Sequence, residues 1–75
     1  MKEKVATVNV LEIIENLPHQ ILSFNDSVKG NKEAEKVFKK LANENGAKDK
    51  YDMDVLIEDG LFEEGTYGVY LIHSS

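Results

Sequence analysis

Between Asn31 and Gly46 the apolar residues Ala34, Val37, Phe38, Leu41 and Ala42 return every three or four positions. That spacing lays them along one side of an α-helix. Asn31 can cap the start, and Asn45-Gly46 supplies a left-handed stop. The pattern predicts a helix over about 32–45. A helix with one apolar stripe gains its stability by burying that stripe, so the rest of the chain must provide a matching apolar layer.

Little chain is available to build that layer. Seventy-five residues make one small domain, residues 1–75, near the size at which a packed core alone is barely sufficient. There is no cysteine, so disulfides, iron–sulfur clusters and thiolate zinc sites are excluded. The core must be well packed or shared, which gives weight to a homodimer. With 41% apolar and 31% charged residues the chain reads as globular rather than disordered. Uninterrupted apolar stretches reach only about four residues, as in Val69–Ile72, too short for a membrane helix. Met1–Val10 has lysines without an apolar core behind them; the expectation is a cytoplasmic protein with no membrane contact.

A second amphipathic stripe precedes the first. Val10, Ile14, Leu17, Ile21 and Phe24 recur in helical phase, and Asn9 with Glu12 suits a capping box. Read this way, residues of about 9–24 form a helix kinked at Pro18, or one broken there with Asn16 capping a restart, antiparallel to the 32–45 helix and burying Phe24 against Phe38. After Gly46 the pattern changes. Met53, Val55 and Ile57 alternate as a strand would, but Asp52 as cap and Gly60 as stop favour a short acidic helix of about 52–59. Residues 61–64 and 67–73 then read as a β-hairpin, and Lys4–Val8 can add a third strand. The expected class is α+β.

Charge is unevenly spread. Residues 1–28, 29–50 and 51–75 carry local balances of −2, +3 and −6, which make up the net −5. All nine basic residues are lysine, a bias that fits an AT-rich coding genome such as that of a low-GC bacterium or its phage. Without arginine the planar fork that reads bases and phosphates bidentately is missing. The ridge Lys29, Lys32, Lys36 and Lys40 is interleaved with Glu33, Glu35 and Glu44. It reads as a solvated helix face, and direct nucleic-acid binding is not expected.

The last third carries the sharpest feature. Asp52, Asp54, Glu58, Asp59, Glu63 and Glu64 are threaded through Leu61, Phe62 and other apolar residues with no lysine among them. A calcium loop is excluded because Leu56 and Ile57 stand where a ligand and a turn glycine are needed. His19 and His73 have no metal-ligand spacing, and no nucleophile or phosphate-loop motif occurs. Neither a metal, a cofactor nor a catalytic group is expected.

What remains is a non-enzymatic interaction module or small regulator. Asp52, Asp54, Glu58, Asp59, Glu63 and Glu64 would rim an apolar anchor, Leu61 and Phe62, for a protein partner with a basic surface. Two other readings compete with it. One is a phage-type nucleic-acid mimic that occupies a DNA- or RNA-binding protein. The other is a structural subunit that assembles through the free edge of its C-terminal strand, Tyr67–His73.

Overall fold

A computed structural model describes residues 6–74. Along the chain run β1 (Thr7–Ile14), β2 (Leu17–Asn25), α1 (Val28–Glu44), a 3₁₀ turn (Ala47–Asp49), α2 (Met53–Asp59), β3 (Leu61–Glu64) and β4 (Tyr67–Ser74). The four strands form one antiparallel sheet in the order β2-β1-β4-β3. It is an α+β fold: two β-hairpins joined side by side, with the helices between them in sequence and packed on one face.

Alternation along β1 sets the two faces of the sheet. Val8, Val10 and Glu12 are buried, while Asn9, Leu11 and Ile13 on the other side are only half-buried. Val69 and Leu71 from β4 and Phe62 from β3 join the buried side. Helix α1 supplies Ala34, Phe38 and Ala42, and α2 supplies Leu56, to complete the core. The alanines let the helix axis lie close to the sheet, so the single large Phe38 fills the space between them.

The 32–45 helix is present and longer than its pattern implied. Its cap is Ser27, whose Oγ accepts from the Gly30 backbone N–H at 3.1 Å, four residues before the expected Asn31. Asn31 instead ties neighbouring elements together. Its Nδ2 donates to Asp26 Oδ1 at 2.7 Å, and its Oδ1 lies 3.0 Å from His73 Nε2 on β4. Gly30 is required by close approach: a Cβ there would sit 1.8 Å from the Asn25 carbonyl oxygen at the end of β2. The stop at Gly46, with φ of 96°, is where the sequence put it.

Residues 9–24 do not form a helix. They are most of the β1–β2 hairpin, so the expected helix pair is replaced by a helix packed on a sheet. Three local facts explain the change. Glu15 and Asn16 both take positive φ, 55° and 64°, the backbone of a two-residue type I′ turn. Pro18, which would cost about 3 kcal/mol inside a helix, lies on an edge strand where a missing N–H does little harm. The register skips His19, because Glu12 faces Gln20 and Ile13 faces Pro18, so a bulge absorbs one residue. Asn9 is no cap. It sits within β1 and accepts from Ser23 Oγ on β2 at 2.6 Å.

The N-terminal strand starts at Thr7; Lys4 and Val5 of the expected strand lie outside the described residues. It pairs with β2 and β4 at once. That arrangement narrows the room for assembly through Tyr67–His73. Strand β1 takes one side of β4, and β3 takes the other over Tyr67–Tyr70, so among the described residues only the part of β4 after Tyr70 has no strand on that side; the outermost strands are β2 and β3.

Candidate functional site

The acidic segment begins where α1 and the 3₁₀ turn deliver the chain to Asp52. Its Oδ1 accepts from the Asp54 backbone N–H at 2.8 Å and starts α2. Two turns later Gly60, at φ 77°, closes the helix by donating its N–H to the Leu56 carbonyl at 2.8 Å. Its own carbonyl accepts from the Leu71 N–H at 2.8 Å, so the end of α2 is fastened to β4 just before β3 begins. The expected short acidic helix and the hairpin after it are both in place.

Alternation then sends Phe62 inward, 2% exposed, and leaves Leu61 and Glu63 outward. Tyr51 meets Phe62 edge-on, with ring centroids 5.8 Å apart and planes at 78°. Between α2 and β3 this leaves a hollow of about 260 Å³ lined by Tyr51, Val55, Leu56, Asp59, Leu61, Phe62 and Glu63. Its floor is apolar and its rim carries two carboxylates. Of the residues singled out from the sequence, Asp59, Leu61, Phe62 and Glu63 come together here. Asp52, Asp54 and Glu58 are exposed on α2 without lining the hollow.

Glu64 is engaged elsewhere: its Oε1 accepts from Lys50 Nζ at 2.9 Å in an exposed pair. That hydrogen bond holds the Lys50 ammonium above its ordinary pKa. Among the described residues no lysine of α1 pairs with an acid of residues 51–75. The ridge Lys29, Lys32, Lys36 and Lys40 is exposed on the solvent side of α1.

Glu63 is held in position. Its carboxylate accepts from the Tyr70 hydroxyl, and this bond, more than burial, raises the Tyr70 pKa. The Tyr70 ring lies against Gly68; a Cβ on Gly68 would come within 2.8 Å of the Tyr70 hydroxyl oxygen. On the other side of Glu63 is a second hollow, also about 260 Å³, between the two hairpin turns. Those turns are joined by the Asn16 N–H donating to the Thr66 carbonyl at 3.1 Å.

Sequence reasoning missed Glu12, which it placed in a capping box. Glu12 is 6% exposed on the helix-facing side of the sheet. Its Oε1 accepts from Gln20 Nε2 and its Oε2 from the Tyr67 hydroxyl, each at 2.7 Å. Burial, and then the Glu12 contact, push the Tyr67 phenol well above its ordinary pKa. A buried carboxylate with both oxygens satisfied is a structural tie, here between β2, β1 and β4. The signal was present in the alternation Val8, Val10, Glu12. Tyr51 and Val55 were missed as lining residues because their role depends on how α2 lies beside β3.

Among the described residues no three histidine, aspartate or glutamate side chains converge where a metal ion could sit. Among the same residues no helix is long and apolar enough to cross a membrane. Compared with protein-family models, curated proteins and solved structures, the chain matches none.

Proposed function

We propose that this chain is a non-enzymatic, cytoplasmic interaction module whose α2–β3 hollow receives a protein partner with a basic surface. One observation carries the reading: an apolar floor of Tyr51, Val55, Leu61 and Phe62 is rimmed by Asp59 and Glu63, in a segment without lysine. An apolar anchor desolvated by the floor would supply affinity, and the rim would steer positive charge towards it. Val55 and Leu61, at 54% and 43% exposed, have most to gain from being covered.

The test is capture from a lysate of the source cells by wild type and by Asp59→Lys/Glu63→Lys. Both positions are exposed, so circular dichroism should confirm an unchanged fold. A specific protein should be retained by wild type, lost by the double variant, and released as salt screens the rim. Equal retention by both proteins removes the hollow from the account.

The nucleic-acid-mimic reading draws on the exposure of Asp52, Asp54, Glu58 and Asp59 along α2. It requires that double-stranded DNA or RNA displace the captured protein.

A further inference from the structure

We propose that two copies of this chain join through their β2 strands into one continuous antiparallel sheet. The inference is independent of the hollow, which lies at the opposite edge.

The two edges of the sheet differ sharply. Strand β3 has four residues and carries Glu63 and Glu64, a short, charged edge of the kind that resists strand addition. Strand β2 has nine residues, Leu17–Asn25, and no charged side chain, although 31% of the chain is charged. Only Phe24 of its residues is even half-buried. Pro18 and the bulge at His19 blunt its first part. Among the described residues, Gln20 to Phe24 remain as an open run with no strand on their outer side.

A second copy fits this run better than an unrelated strand does. Each chain has a net charge of −5, so copies repel unless they meet through a surface without acids. Self-pairing of antiparallel strands requires a two-fold axis perpendicular to the sheet. Both helical layers then lie on the same side. With the axis at Ser23, Leu22 faces Phe24 of the second copy, and Ile21 faces its Asn25. Asp26 falls opposite Gln20 of the second copy, so no acid faces an acid. Leu22 points to the helical side yet is 37% exposed. The partner strand and its Phe24 cover it. Because β3 is blunted, one such contact uses up the open edge, and assembly stops at two copies.

Sedimentation equilibrium from about 10 μM to about 1 mM brackets a contact at the small end of stable interfaces. The expected result is a concentration-dependent approach to twice the 8.5 kDa chain mass. Ser23→Lys sets two ammonium groups opposite each other at an exposed position, and should weaken the dimer at least about tenfold. Ser23→Glu should do the same. Mixing the two variants should restore dimerisation, a result that unfolding of either variant does not produce. In wild type, backbone amides within Gln20–Phe24 should gain protection from hydrogen exchange as concentration rises. A wild-type monomer throughout the range overturns the proposal. So does a dimer unaffected by both single variants, or one broken instead by Ile72→Lys on the uncovered face of the sheet.

Discussion

The molecule is two β-hairpins of similar construction with opposite surroundings. In the β3–β4 hairpin, Phe62 is sunk to 2% exposure and Val69 is fully buried. In the β1–β2 hairpin, β1 is just as buried, but β2 presents Leu17, Ile21 and Leu22 at 67%, 60% and 37% exposure. Their turns differ too. One uses Gly65 at φ 60°, the other Glu15 and Asn16 in the same left-handed region. A hairpin is therefore not stabilised by its turn or its pairing alone. What lies across its face decides how much each residue contributes.

The largest effect should come from removing the anchor on one side. Phe62→Ala should cost about 3–5 kcal/mol, because it opens a cavity under Tyr51 and Tyr67. Ile21→Ala, of similar chemistry but exposed, should cost under about 1 kcal/mol in the monomer. Urea denaturation of both variants at a concentration where the chain is monomeric measures the gap. Near-equal losses would erase the distinction between the hairpins.

Next in size is the tie that joins them. Tyr67→Phe leaves the buried Glu12 with one donor fewer and should cost about 1.5–3 kcal/mol at neutral pH. The same variant should change the alkaline limb of stability. Below about pH 10 the Tyr67 phenol keeps its proton folded and unfolded. Above that, the unfolded chain releases the proton while the folded chain, whose phenol pKa is raised, retains it. Stability should therefore fall as pH rises beyond about 10, and less steeply in Tyr67→Phe. Thermal melts between pH 8 and 11 would show it; parallel curves would mean that Tyr67 is not the titrating group.

The smallest effects belong to the turns. Gly65→Ala meets no atom within 4 Å, so its cost, about 1 kcal/mol, is purely that of forcing a side chain into positive φ. Glu15→Asn with Asn16→Gly should move the other turn the opposite way, gaining about 0.5–1 kcal/mol. Opposite signs in the two hairpins are the expected outcome of chemical denaturation, and equal signs would refute the turn assignment.

The same contrast explains what could be read from the residues alone. The glycine stops and the Asp52 cap were legible, whereas the expected caps Asn9 and Asn31 are not caps. Gly46 ended α1, Asp52 and Gly60 bracketed α2, and Gly65 marked the second hairpin. In the first hairpin the turn has no glycine, and Val10, Ile14, Leu17, Ile21 and Phe24 happen to repeat in helical phase. The competing strand alternation, Val8, Val10, Glu12, ends on an acid that only its hydrogen-bond partners Gln20 and Tyr67 make sense of. Those partners are distant in sequence or beyond the misread turn. In the hollow, Phe62, Leu61, Glu63 and Asp59 were legible because they are close in sequence. Tyr51 and Val55 were not, because only tertiary packing brings them there.

The pairing of β1 with β4 joins residues near opposite ends of the described chain, from Thr7↔Ser74 to Ile13↔Gly68, and it sets the tempo of folding. Each hairpin can zip in about 1–10 μs from neighbouring residues. The seam between them closes only after the whole intervening segment has been drawn back, so its loop entropy stands in the barrier. Until then, β1 has a partner on one side only. The topology therefore predicts that the meeting of the two halves is the slow step of folding.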